Sequence, residues 1–141
     1  MEYVLPNSLK VNRGRRSIVE IFSIAQSIGA RLLILVSVRK GNPAVIDVYG
    51  IPSNQRMYSF SIKAMRLMSD YKVPYYGVTR RRLCIESSTA RCYQVNSFLV
   101  DAGARHKNIC DTFAEVSETS FCEIKFKNKK GDELLMLGLE S

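Results

Sequence analysis

Apolar residues recur along this chain with two different periods, and the change of period marks its elements. Ile18, Ile21, Phe22, Ala25 and Ile28 fall on one stripe of a 3.6-residue helix. Ser17-Ile18-Val19-Glu20 has the form of a capping box, and Gly29 suits the left-handed position just past a helix end. The pattern predicts a helix from Ser17 to Gly29. Leu32 to Val36 is wholly apolar and too short to cross a membrane, so a strand buried on both faces is expected there. Arg39-Lys40-Gly41-Asn42-Pro43 breaks it, and Val45 to Tyr49 reads as the next strand.

Period two takes over downstream. Tyr58, Phe60, Ile62 and Ala64 alternate with Ser59, Ser61 and Lys63, which predicts a half-buried strand over Met57 to Met65. Ser69 to Gly77, with Asp70 and Pro74, reads as a connector carrying Tyr71, Tyr75 and Tyr76. Strands are expected at Leu83 to Glu86 and Arg91 to Val100, and a second helix at Lys107 to Glu118 with Ile109, Phe113 and Val116 on one face. Phe121 to Lys127 and Glu133 to Leu139 form a hairpin around residues 128–132, with Cys122, Ile124 and Phe126 turned inward. Met1 to Pro6 reads as the last turn of a helix stopped by Pro6.

Leu9 to Asn12 reads as a short strand, giving a strand–helix–strand unit whose crossover is right-handed if the strands are parallel. In such a unit the turn entering the helix and the turn leaving the second strand share one sheet edge. Arg13, Arg15 and Arg16 would then face Arg39 and Lys40, with the helix start at Ser17 offering backbone N–H donors and Asn42 in the facing turn. That edge is a candidate dock for a polyanion. The alternative is that these are solvated turn residues, as short charge runs usually are.

Charge weights the choice. The 141 residues carry 21 Lys and Arg against 13 Asp and Glu, a net charge of +8. Up to Ile85 there are 14 basic and 4 acidic residues, and from Glu86 onward 7 and 9, so the positive field belongs to the first part. Such a protein suits nucleic acid, an anionic membrane or an acidic protein. Membrane is disfavoured, because the amphipathic helix carries no Lys or Arg. The N-terminus has neither the basic start nor the apolar core of a secretory signal, so a cytoplasmic protein is expected. Arg80, Arg81 and Arg82 form another basic cluster, readable as an RNA contact or as an edge-strand guard against aggregation. Lys127, Lys129 and Lys130 at the hairpin tip are further candidates. Tyr75 and Tyr76 could stack on unpaired bases or pack on the core rim.

Catalytic patterns are missing. The chain has no phosphate loop, dinucleotide fingerprint or nucleophile elbow, and His106 with Cys110 lacks a third orienting group. Cys84, Cys92, Cys110 and Cys122 have no metal-binding spacing and read as buried reduced thiols. No enzyme activity, metal or cofactor is expected.

The residues Arg13-Gly14-Arg15-Arg16-Ser17 to Glu20, Gly29-Ala30, Val38 to Pro43, Ile46 and Val48-Tyr49 resemble, in order and spacing, the Brix-domain family. The chain looks like its compact archaeal branch, related to the eukaryotic small-subunit processome protein of that family. The likeness extends more loosely over nearly all of the chain. It implies an α/β fold of mixed character, built from two similar halves with mixed sheets and few helices, each like the anticodon-binding domain of class II aminoacyl-tRNA synthetases. The chain would be one such domain, with halves at 1–68 and 80–141 joined by a connector at 69–79. The resemblance also implies a ribosome biogenesis factor that binds ribosomal RNA during pre-rRNA processing and subunit assembly, alongside other assembly proteins. Arg13, Arg15 or Arg16, Arg39 and Lys40 are the basic positions matching the family pattern. A different class of reading is an adaptor whose basic edge binds an acidic partner in a ribonucleoprotein complex.

The family usually opens with a strand, a Ser/Thr-rich basic turn and a basic helix, roughly 20–30 residues at average element lengths. Met1 to Pro6 would be the tail of that helix. An uncovered strand edge and apolar face there would favour self-association or a partner. Leu134-Leu135-Met136 stands where many relatives place a Gly-Pro pair.

Overall fold

Ser17 starts the first helix, α1 (Ile18–Ser27), by accepting the Glu20 N–H on its hydroxyl at 3.2 Å. Gly29, at φ +74°, ends it: the Gly29 N–H bonds the Gln26 carbonyl and the Ala30 N–H bonds that of Ala25, the two bonds of a Schellman cap. The computed structural model describes residues 5–6, 8–9, 11, 13–67, 82–87, 89–105 and 110–141. Its strands follow the order β1-β2-β3-β7-β6-β5-β4. Two compact units divide these elements, and β3 contributes to both.

The first unit, Val11–Ser61, holds α1, β1 (Leu32–Arg39), β2 (Asn42–Gly50) and the opening half of β3 (Arg56–Leu67). β1 and β2 are antiparallel and close through Lys40-Gly41, with Arg39 opposite Asn42. Both turn residues have positive φ, 52° and 81°, as the twist of a two-residue hairpin demands. Ile46, Val48 and Phe60 are buried, and Phe22 of α1 meets Tyr49 edge to face at 5.2 Å. β3 alternates as its sequence predicts: Tyr58, Phe60, Ile62 and Ala64 are more buried than their neighbours.

The second unit, Ile62–Glu140 together with Leu5 and Pro6, contains the rest of β3, β4 (Leu83–Ser87), α2 (Tyr93–Asp101), β5 (Thr112–Glu118), β6 (Cys122–Asn128) and β7 (Glu133–Glu140). β4 and β5 are parallel, with α2 in the connection between them. β5, β6 and β7 follow as an antiparallel meander, which places the buried Ile124 opposite the buried Leu137.

Several sequence expectations are corrected. β1 is not buried on both faces: it pairs only with β2 among the described residues, and Val36 and Val38 are exposed. Its apolar run resembles a central strand, and among the described residues it is the last strand of the order. Leu9 and Val11 are not in a strand, so the described residues form no strand–helix–strand unit there. The parallel unit occurs instead at β4-α2-β5. Arg91 to Val100 is a 3-10 turn (Ala90–Cys92) and a helix rather than a strand, because Val95, Phe98 and Leu99 have helical offsets and are all buried. Within the expected helix at 107–118, residues 112–118 form β5, in which Thr112, Ala114 and Val116 alternate inward. Leu5 and Pro6 lie in a bend and turn rather than a helix.

The cysteines are also corrected. Cys84 is bonded to Cys110 and Cys92 to Cys122, both as disulfides. Disulfides are usual in oxidising compartments and also occur inside hyperthermophilic archaea. The start of the expected N-terminal helix (residues 1–4), the connector at 69–77 with Tyr71, Tyr75 and Tyr76, and Arg80, Arg81 and His106 lie outside the described residues.

Candidate nucleic-acid interface

The residue sequence 13–16 makes a tight turn before α1. The Arg16 N–H bonds the Arg13 carbonyl at 3.0 Å, and Gly14 supplies the positive φ at the first central position. The Arg13 Nε donates to the Arg16 carbonyl at 3.0 Å, which clamps the turn from outside. All four residues are exposed. Ser17 Oγ takes the Glu20 N–H, whereas those of Ile18 and Val19 find no partner among the described residues. A helix start with two open donors and a flanking cationic turn is chemically suited to a phosphate.

Arg39, Lys40 and Asn42 are exposed around the β1–β2 turn. The left-handed backbone at Lys40 fixes the tip in a tight two-residue loop, so its ammonium group stands at the end of the hairpin. The turn at 13–16 leads into α1 and the turn after Arg39 closes β1 on β2, so each cluster is positioned by its own element of the first unit.

Electrostatics separates the two units. Residues 11–61 carry seven Lys and Arg and two Asp and Glu, net +5. In that unit Arg56 pairs with Asp47 at 3.9 Å, whereas Arg13, Arg15, Arg31, Arg39 and Lys40 make no ion pair among the described residues. Six of the nine described Lys and Arg of the second unit have a carboxylate partner. Arg66 pairs with Glu133, Lys63 with Glu140, Arg91 with Glu118, and Lys125 with Glu123. Lys127 lies 2.7 Å from Glu115 and Lys129 3.7 Å from Asp111. The hydrogen bond to Lys127 holds the Glu115 carboxyl below its usual range, and the same bond raises Lys127. Of the hairpin candidates, Lys130 alone is exposed and unpaired among the described residues.

Arg82 is exposed and immediately precedes the outermost strand, β4, as an edge guard would. Its N–H donates to Asp111 Oδ2 at 3.0 Å. Sequence reasoning missed Arg31, an exposed cation of the first unit, because it stands alone between helix and strand. It also missed the pairing of Lys127 and Lys129, which requires the β5–β6 register.

A helix followed by three antiparallel strands in one unit, and a β4-α2-β5 crossover leading into an antiparallel meander in the other, define a mixed α/β protein. No family model matches the sequence. A probable Brix domain-containing ribosomal biogenesis protein of Saccharolobus solfataricus is 34% identical over 130 residues, covering 89% of this chain and 75% of the relative. Its counterpart in Sulfurisphaera tokodaii is 29% identical over 140 residues, covering 96% and 76%. The chain belongs to the Brix-domain family of ribosomal biogenesis proteins. Two solved structures share the fold. A probable ribosomal biogenesis protein from Aeropyrum pernix superposes with a TM-score of 0.78 at 22% identity, covering 99% of this chain and 84% of that one. Mil, an archaeal Imp4-like protein, gives 0.68 at 13% identity, with 93% and 78% covered.

Proposed function

We propose that this protein is a ribosome assembly factor that binds ribosomal RNA or its precursor through the cationic rim of its first unit. Arg13, Arg15, Arg16, Arg39 and Lys40 neutralise phosphates. Ser17 caps the helix whose first N–H groups complete the anion site, and Asn42 flanks the hairpin tip. The observation that carries the reading is the separation of charge: Lys63, Arg66, Arg91, Lys125, Lys127 and Lys129 of the second unit pair with carboxylates, whereas Arg13, Arg15, Arg31, Arg39 and Lys40 of the first make no ion pair among the described residues. The ribosomal biogenesis names of the relatives point the same way.

On this reading the chain is one Brix domain of two halves that acts in the cytoplasm as a non-catalytic factor in rRNA processing. No helix among the described residues is long and apolar enough to cross a membrane. Phosphate contacts set register without reading bases, so selectivity comes from RNA shape.

The test is binding to fragments of the source organism's ribosomal RNA across a salt series, beside an Arg13→Ala/Arg15→Ala/Arg39→Ala variant. The wild type binds selected fragments. The variant binds more weakly, with a salt slope shallower by about 0.7 per lost contact on single strands. Equal binding by both proteins removes the rim as the RNA site.

A further inference from the structure

Among the described residues of the second unit, the three cations without a carboxylate partner are Arg82, Arg105 and Lys130, all of them exposed. They are scattered in sequence, and backbone pairing gathers them at one corner of the sheet. Arg105 lies along the outer side of β4: its N–H donates to the Leu83 carbonyl at 3.0 Å, and its carbonyl accepts the Ile85 N–H at 2.8 Å. Arg82 immediately precedes the same strand, and its carbonyl accepts the N–H groups of Asp111 and Thr112, both at 3.1 Å. Thr112 is flanked by Leu83 of β4 and Asn128 of β6. Asn128 in turn opens the hairpin turn, where its Oδ1 accepts the Lys130 N–H at 3.0 Å. Arg105, Arg82 and Lys130 therefore follow one another across the end of the sheet at which β4 and β5 begin and β6 stops.

The carboxylates nearby are engaged elsewhere. Asp111 accepts the Arg82 N–H on Oδ2 at 3.0 Å and faces the Lys129 ammonium at 3.7 Å, and Asp132 accepts the Asn128 amide at 3.2 Å. Glu115 and Glu133 are held by Lys127 and Arg66, and the charge of Glu86, further along β4, acts on Lys127. The adjoining sequence adds no acid: Arg80 and Arg81 precede Arg82, and His106 and Lys107 follow Arg105. The corner also lacks apolar anchors, since none of the exposed large hydrophobic side chains falls within 82–86, 104–105, 110–114 or 126–133. A protein partner draws its affinity from such anchors in a desolvated centre, whereas an RNA backbone needs only cations. We infer that this corner is a second RNA-binding site, in which Arg82, Arg105 and Lys130 hold phosphates. The two guanidinium forks give two-point contacts to phosphate oxygens, and the ammonium adds a point charge. Sequence alone hides the site, because Arg105 joins Arg82 only through its pairing with β4. The inference carries RNA binding to the second unit without resting on the rim of the first, and either can fail alone.

The test titrates fragments of the source organism's ribosomal RNA into four full-chain proteins over a salt series. Beside the wild type stand the corner variant, Arg82→Ala/Arg105→Ala/Lys130→Ala, and the rim variant, Arg13→Ala/Arg15→Ala/Arg39→Ala. The fourth is a control, Lys63→Ala/Arg91→Ala/Lys125→Ala, equal in charge change but removing cations that already have carboxylates. The corner variant binds more weakly than the control, with a salt slope shallower than that of the wild type by about 2, three contacts at about 0.7 each on single strands. Lys130→Ala alone, in a turn, gives about a third of that change, which keeps the test intact if the triple variant unfolds. Loss in the corner variant beside full binding by the rim variant upholds this site and removes the rim; the reverse upholds the rim and overturns this site. Equal weakening of the corner variant and the control overturns it too, because net charge alone then accounts for the effect. So does a wild type that binds no fragment. A corner variant that keeps its RNA affinity and loses affinity for polyglutamate overturns it in favour of an acidic protein.

Discussion

Arg66 on β3 and Glu133 on β7 meet as fork on fork, with Nε 2.8 Å from Oε2 and an outer guanidinium nitrogen 2.7 Å from Oε1. Planar two-point pairing of this kind is better defined geometrically than a single-contact surface ion pair. Glu133 is well covered, and the Arg66 hydrogen bond holds its carboxyl below the usual value of 4.5. Glu115 is lowered in the same sense by Lys127.

Acid sensitivity follows from those two carboxyls. A carboxyl lowered by folding contributes stability above its unfolded pKa, and that contribution is lost as pH falls through the folded value. Urea unfolding midpoints should therefore change little between neutrality and mild acid and decline below pH 4.5, the ordinary carboxyl value. A Glu115→Gln/Glu133→Gln variant should start less stable and show a flatter decline. A variant as acid-sensitive as the wild type would assign the effect to other groups.

RNA affinity should respond to one set of lysines and arginines and not another. Lys127→Ala/Lys129→Ala removes two cations already matched by Glu115 and Asp111, and is expected to leave rRNA affinity within about twofold. Arg15→Ala/Arg39→Ala, equal in charge change, should weaken binding and reduce the salt slope. Filter binding at several salt concentrations separates the two.

Lys40 allows stability and binding to be moved in opposite directions. Its φ of 52° belongs to the region that favours glycine and asparagine. Lys40→Asn should stabilise the protein by about 0.5–1 kcal/mol while lowering RNA affinity through the lost charge. Thermal melts and binding isotherms on the same sample test both halves.

Gly138 lies under the Phe121 ring, and a Cβ added there would fall within the ring's own space. Gly138→Ala should cost about 1–3 kcal/mol. Phe121→Leu/Gly138→Ala should cost less than the sum of the two single changes, measured as a double-mutant cycle in urea.

Reduction should loosen the second unit. Chain-entropy arguments for links spanning 26 and 30 residues give about 3–4 kcal/mol each. A Cys84→Ala/Cys110→Ala variant should melt lower than wild type under non-reducing conditions. Intact mass measured without reductant should be about 4 Da below the fully reduced value, two hydrogens per bond.

The first helix was legible because its signals are local: a serine cap, a 3.6-residue stripe and a glycine stop all lie within a dozen residues. The β6–β7 hairpin was legible for the same reason. α2 was not, because its N-cap position is Cys92, which makes no side-chain cap bond, and its short apolar set also fits a strand. β5 carries the opposite ambiguity: Ile109, Phe113 and Val116 mimic a helical stripe, while burial follows Thr112, Ala114 and Val116. The basic residues of the candidate site were visible in the sequence. Which of them are spent on internal partners was not, since Glu115 and Lys127 meet only through strand register.

Cys84, Cys92, Cys110 and Cys122 are joined first to third and second to fourth, so the two loops thread through one another in sequence. A protease that cuts once in each of two different intervals between these cysteines leaves every piece tethered to the rest. Between Cys84 and Cys122, an oxidised chain nicked in this way would keep its mass on a non-reducing gel and fall into fragments only when a thiol is added. That difference makes proteolytic damage to this half invisible until the bonds are reduced.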